Sequence, residues 1–300
     1  TMVTVFFVLG GAVVLASAPS LMQGVNLGAD DCPFHLNRIE GIVEGLRNGQ
    51  FPVRVNTMAK NGYGYSTSLF YGELFLYFPA ILRLLGATIQ QAWNTFIIGF
   101  HILTAVISYR SFKPIFGQRI ALVGAVLYLL SPYRLHRIYR SASLGEYLAF
   151  TFLPAIVYGL WLLYCHTDDA KARRRGGLIL ALGYSALLQC HMINTEIAVL
   201  AGAVFCLLLW RKTLRPTVLF TWLKACALAI LLNLWFLVPF LTVATNKLYI
   251  GYEPLNIQSS GQSIMALFNN NDAFAIGPGV LLYGALAVLL LCAIKEIARG

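Results

Sequence analysis

The chain has 300 residues, of which 58% are hydrophobic and only 11% charged. A soluble domain of this size carries about 25% charged residues, so the deficit excludes an ordinary soluble domain and points to an integral membrane protein. The formal net charge of +10 is spread over short polar stretches between apolar segments, which is no nucleic-acid footprint, and no nucleic-acid partner is expected.

The expected fold is all-α: a polytopic transmembrane helix bundle of about eight spans, forming one domain over residues 1–300. Span 1 covers residues 2–21. It has the apolar core of a signal peptide but no basic flank before it. Residues 22–88 follow as an expected extracytoplasmic segment with interfacial helices. It opens with Asp30-Asp31-Cys-Pro33-Phe-His35-Leu-Asn-Arg38. Pro33 suits the first turn of a helix, and Asp31 stands where a capping acid belongs. A helix starting there places Asp31, His35 and Arg38 on one face, and Leu36, Ile39, Val43 and Leu46 on the other. Residues 69–85 are apolar but hold Glu73, Pro79 and Arg83. They are expected to stay at the outer interface without crossing.

The remaining spans are expected at 91–109, 120–130, 145–164, 177–188, 197–210, 218–241 and 275–294. The short basic stretches set the orientation. Arg110, Lys113 and Arg119 form one group, Lys171 and Arg173 to Arg175 a second, and Arg211, Lys212 and Arg215 a third, with Lys295 and Arg299 near the last residue. If 69–85 does not cross, all four groups fall on one side, which the positive-inside rule makes the cytoplasm. Both ends of the chain are then cytoplasmic, in a multi-pass protein of the cell membrane.

Three further polar pieces face outward in this topology; one of them, residues 242–274 with Lys247, Tyr249, Tyr252, Glu253 and Asn269 to Asp272, is read either as a lid or acceptor-contacting loop or as ordinary loop composition. Residues 131–146 carry Arg134, Arg137 and Arg140 at every third position, with His136 and Glu146. Arginine forks suit phosphate oxygens, and a lipid phosphate is one candidate ligand. Contact with anionic headgroups, or pairing with Glu40, Glu44 or Glu73, is the alternative. Residues 189–196 form a tight turn with His191 and Glu196, which are costly near a membrane unless they line a polar cavity. Six cysteines show no CxxC or zinc spacing, and a disulfide between Cys32 and Cys190 is open if both face outward. The Walker loop, GxSxG and HExxH patterns are absent, which leaves nucleotide-driven transport and serine or zinc hydrolysis without support.

Several short motifs carry a resemblance in their order: Asp31-x-x-Phe34-His35-x-x-Arg38-Ile39, Gly49-x-Phe51-Pro52, Gly62-Tyr-Gly64 leading to Leu69-Phe70-Tyr71, Ser131-Pro-Tyr133-Arg134, and Leu144-Gly145-Glu146 before Pro154. Over about residues 1–200 the chain resembles the GT-C class of polytopic glycosyltransferases, and within it the YfhO-like and "6-pyruvoyl-tetrahydropterin synthase-related" bacterial membrane proteins. The soluble pterin enzyme's zinc chemistry finds no histidine cluster here. The GT-C resemblance implies a lipid-linked sugar donor of the polyprenyl-phosphate type, an envelope acceptor, and membrane lipids as surroundings. It implies Asp31, then Asp30, as the catalytic carboxylate, and allows a divalent metal beside them. His35, Arg38, Arg134, Arg137, Arg140, Glu146, His191 and Glu196 are the expected substrate-binding residues. GT-C proteins are usually longer, so 300 residues are compatible with a piece of a longer chain. A flippase for a lipid-linked saccharide and a non-catalytic envelope scaffold are the alternative readings.

Overall fold

A computed structural model of the chain describes residues 2–22 and 27–245. The expected span at 275–294, residues 246–274 of the outer piece before it and the basic residues Lys295 and Arg299 lie outside the described residues. Every regular element among these is helical, and the nearest thing to a sheet is an isolated bridge between Asn56 and Tyr65. The described residues are all-α, the expected fold class.

Helix α1 (Met2–Met22) is apolar on all sides. Helix α2 (Cys32–Arg47) starts with a proline in its first turn, as expected. Two 3-10 turns, Thr67–Leu69 and Leu74–Leu76, lead into the short α3 (Tyr77–Leu84). Thr88 and Gln91 then form a reciprocal capping box that starts α4 (Ile89–Phe116). Gly117, at φ 78°, turns the chain into α5 (Gln118–Leu129). Helices α6 (Pro132–Tyr139), α7 (Leu144–Phe150) and α8 (Leu153–Cys165) follow. Asp169 accepts from the Lys171 and Ala172 amides to cap α9 (Ala170–Cys190), and His191 caps α10 (Met192–Leu208). A single turn, α11 (Trp210–Thr213), precedes α12 (Pro216–Leu232) and α13 (Leu234–Ala244).

Three helical runs are long and apolar enough to cross a membrane: Met2–Met22, Ile89–Phe116 and Leu144–Cys165. The α12–α13 pair qualifies only as one unit bent by 77° at Asn233. The described residues thus hold three such helices, or four with the bent pair, fewer than the about eight spans expected over residues 1–300. Helix α5 has 12 residues, about 18 Å of rise against a hydrocarbon core of about 30 Å. Helix α10 has 17 residues, and α9 begins with Arg173, Arg174 and Arg175. Residues 69–85 do not form one helix either. Their longest helical run, Leu74–Leu84, rises only about 16 Å.

The contacts sort the bundle into two ends. Asn94, near the start of α4, donates to Ser20 O at the end of α1 (2.8 Å), while Tyr109 clusters with Val5. The two helices are thus antiparallel. The α7–α8 run lies parallel to α4, since Tyr147 meets Ile97 O and Thr151 meets Thr104. Helix α9 returns against α8 through Gly159 and Gly176. A Cβ at Gly176 would stand 2.9 Å from Gly159 O, so no larger residue fits that crossing. The basic groups at 110–119, 171–175 and 211–215 consequently share one end. The α2 start, the α6–α7 turn and the α9–α10 turn share the other. The main core lies between, built on Ile39, Ile97, Tyr147, Leu163 and Leu187.

Candidate functional site

The site grows from the Asp30–Asp31 turn. Asp31 occupies the N-cap position of α2 but its side chain caps nothing there. Instead its amide donates to Ser141 O (3.0 Å), and Ser143 Oγ donates to its Oδ2 at 3.4 Å. The α2 start is therefore docked on the α6–α7 turn, 112 residues away, with the Asp31 carboxylate exposed.

One turn into α2, His35 is buried, and so is Arg38. His35 and Arg38 on the polar edge of α2 are turned into the protein, as Ile39 and Val43 on its apolar face are, while Asp31 at its start is exposed. Glu73 is the reason for Arg38. It is buried beside Arg38, whose Nε donates to Glu73 Oε1 at 3.2 Å while Nη2 donates to Gly72 O at 2.9 Å. The guanidinium also stacks 4.3 Å from the Tyr71 ring centroid. Burial raises the Glu73 carboxyl above its ordinary range, with Arg38 opposing.

Tyr71 joins the pieces. Its ring lies 6.3 Å from that of His35 and 5.8 Å from that of His191. Its hydroxyl fits against Gly145, where a Cβ would collide with Tyr71 Oη and stand 2.5 Å from Cys190 O. Gly72 is pressed equally hard onto the Gln189 backbone. These two glycines let the 69–76 turns, α7 and the end of α9 converge on one point. Burial pushes the Tyr71 phenol up to about 12, with Cys190, Asp31 and Glu146 adding to it against Arg38.

Around this point stand Glu146, Arg137 and Tyr133. Arg137 Nε lies 2.9 Å from Glu146 Oε2, its Nη2 donates to Tyr133 Oη at 3.0 Å, and Tyr133 Oη donates to Glu146. His191 is half-buried. Burial lowers its imidazole below the ordinary value, and Glu146 and Asp31 oppose that from nearby. His35 is held well below its ordinary value by burial, then by Arg38 and His191. Both imidazoles are neutral at neutral pH. Asp30 lies beside His136, whose imidazole is lowered by burial and by Arg137 and Arg140.

The expected residues thus separate. Asp31, His35, Arg38, Arg137, Glu146 and His191 gather around Tyr71, and Asp30 with the exposed Arg140 edges the same face at His136. Arg134 does not join them. It is 1% exposed, pointing into the bundle, with Nη1 donating to His101 Nδ1 (2.9 Å) and Nη2 to Thr104 Oγ1 (2.8 Å). Its expected contact with a phosphate is corrected to a role in packing. Glu196 is exposed on α10, among apolar neighbours Ile193 and Ile197. Cys32 and Cys190 are both buried free thiols, so the open disulfide is also corrected. Among the described residues no three His, Cys, Asp or Glu side chains converge as a metal site would need, and Asp30 with Asp31 gains no third donor.

Reasoning from spacing missed Tyr71, Glu73 and Ser143. Glu73 carried a signal, being a lone acid in an apolar run. Tyr71 carried none as a chemical group. No protein-family model matches this chain, and no curated protein sequence is significantly similar to it.

Proposed function

We propose that this chain is a polytopic membrane glycosyltransferase of GT-C type, moving a sugar from a polyprenyl-phosphate-type lipid donor to an extracytoplasmic envelope acceptor. The observation that carries the reading is the convergence of Asp31, Glu146 with Arg137, and His191 around Tyr71, from four separate stretches at one end of an apolar bundle. The site end is the outer face in this reading, and the described helices belong to a bundle of about eight crossings.

The chemistry follows from the groups. The acceptor hydroxyl oxygen attacks the anomeric carbon while the bond from that carbon to the phosphate oxygen breaks. The Asp31 carboxylate, exposed and uncommitted to capping, takes the hydroxyl proton. The leaving phosphate keeps the electron pair and is held by Arg140 and by Arg137, whose fork Glu146 and Tyr133 orient. Neutral His35 and His191 frame Tyr71 and add no competing charge. The buried Arg38–Glu73 pair fixes the α2 start relative to the turn that carries Tyr71.

Asp31→Asn keeps size and polarity but cannot take the proton. In vesicles supplied with polyprenyl-phosphoglucose or polyprenyl-phosphomannose and an envelope acceptor extract, wild type should transfer label. The variant should be slower by roughly 10²–10⁴-fold, the usual weight of a general base, with unchanged membrane insertion. Full activity in both Asp31→Asn and Asp30→Asn would sink the proposal.

A second reading, a carrier for a lipid-linked saccharide, is favoured by the 77° bend at Asn233, because broken helices commonly build transport sites. Movement of labelled lipid across the vesicle without sugar transfer would select it.

A further inference from the structure

Helices α9 and α12 run side by side in one direction with a constant register. Gly177 faces Thr221, Ser185 Oγ donates to Ala229 O, and Gln189 Nε2 donates to Asn233 Oδ1. At the basic end they flank an open cavity of about 410 Å³, in which Arg174, Leu178 and Lys224 are exposed. Three cations line it, Arg173 and Arg174 from α9 and Lys224 from α12, and no acid does. Asp169, the nearest acid in sequence, is already used as the α9 cap.

Lys224 is hard to explain by packing. It is the only charged residue of α12, the ninth of 17 positions, in an otherwise apolar helix. That places it about 12 Å along the axis from Pro216. A charge so far inside an apolar helix normally faces a partner or a polar cavity. Among the described residues neither Lys224 nor Arg174 makes a hydrogen bond or an ion pair, and Arg173 spends one guanidinium nitrogen on Thr167 O. The register puts Arg174 one turn before the Gly177–Thr221 level and Lys224 one turn beyond it, about 9 Å apart along the axis. Apart from Thr217 and Thr221 the rest of the wall is apolar, with Leu178 on α9 and Leu228 on α12 extending it.

We propose that this cavity binds an anionic membrane phospholipid. Its phosphate lies between Arg174 and Lys224, and an acyl chain follows Leu178 and Leu228. Cations on both helices with no acid between them select a negative headgroup, and the apolar wall selects a ligand with a tail over a soluble phosphate. Basic pockets between membrane helices on the cytoplasmic side take lipid headgroups for the same reasons. The site is separate from the Asp31 cluster, which lies at the opposite end of α9.

The test uses the full chain purified in detergent and native mass spectrometry with added phosphatidylglycerol, phosphatidylcholine or inorganic phosphate. Wild type should retain phosphatidylglycerol over phosphatidylcholine. The double variant Arg174→Gln with Lys224→Gln should weaken that binding at least tenfold. The charge-matched double variant Arg110→Gln with Arg119→Gln, at the same end but outside the cavity, should not. Leu178→Trp, at an exposed position, should weaken phosphatidylglycerol without altering any charge. Unchanged binding in the Arg174/Lys224 variant overturns the proposal. Equal loss in the Arg110/Arg119 variant reduces the effect to net charge and also overturns it. Displacement of phosphatidylglycerol by millimolar inorganic phosphate would make this a soluble-anion site and reject the lipid.

Discussion

His35 is the residue whose surroundings make the clearest demand. It is 2% exposed, tilted against Phe34 and edge-on to Tyr71, with Arg38 Nη1 3.4 Å from its Nδ1. Burial and the adjacent guanidinium hold its imidazole well below the ordinary value. The unfolded chain binds a proton near the ordinary value of about 6.5, and the folded chain refuses it until much lower pH. Stability is therefore fully present above about pH 6.5 and is lost as pH falls, by up to about 1.4 kcal/mol per pH unit for one such group. Thermal melting of the purified protein from pH 7.5 to 5 should show a falling Tm in wild type and a flatter line in His35→Asn. Glu73, raised by burial, works in the opposite sense, so variant and wild type must be compared at the same pH. Identical slopes would show that His35 takes up its proton as readily in the folded chain as in the unfolded one. At this scale the sequence was informative about residue type. Asp31, His35, Glu146 and His191 stood out because polar groups are expensive beside apolar helices. It was silent on Tyr71, since an aromatic in an aromatic-rich apolar chain signals nothing until two imidazoles are seen beside it.

At the scale of elements, the α6 arginines show what spacing alone misjudges. Residues at i, i+3 and i+6 drift by about 60° per step on a helix of 3.6 residues per turn, so the three side chains fan out. Arg134 turns inward, Arg137 lies along the site and Arg140 faces out. The Arg134 end is built into a relay. His101 Nδ1 accepts from Arg134, which leaves Nε2–H to meet Tyr139 Oη at 3.1 Å, and Tyr139 donates to Ala16 O at 2.7 Å. The guanidinium also lies 4.3 Å over the Tyr147 ring. This relay ties the eight-residue α6, too short to hold its place alone, to α4, α7 and α1. Arg134→Lys offers one point donor in place of a planar fork, leaving His101 or Thr104 unpaired at about 1–3 kcal/mol each. Arg134→Lys should lower Tm markedly, whereas Arg140→Ala should leave it within experimental error. Equal, small effects would mean that α6 is held by apolar contacts instead. The start of α2 was legible through Pro33, whereas the caps at Thr88 and Asp169 went unread and the two long helices they start were expected later, at 91 and 177. Pro154 and Asn233 marked the breaks near 151–152 and 233 as polar or helix-breaking positions inside expected spans, whereas the break at 70–73 was not legible, since it depends on what the chain packs against.

For the whole molecule the open question is which end faces out. The structure gathers the basic groups at one end and the Asp31 cluster at the other, through the antiparallel α1–α4 pair and the parallel run of α7–α8 with α4. The Leu74–Leu84 run stays beside α2 and the start of α4, since Arg83 pairs with Glu40 at 2.6 Å and Phe78 packs near Phe96. At about 16 Å it is too short to carry the chain to the other side. The positive-inside rule then makes the cytoplasm the expected side of the basic end. Positions 61, 140 and 171 are exposed in the fold and sample both ends. With the six native cysteines replaced, Asn61→Cys, Arg140→Cys and Lys171→Cys can be probed on intact cells with an impermeant thiol reagent. The first two should label and the third should label only after the membrane is permeabilised. Labelling of Lys171→Cys on intact cells, with Arg140→Cys protected, would turn the molecule over. The Asp31 cluster would then face the cytoplasm, where an extracytoplasmic transfer could not take place.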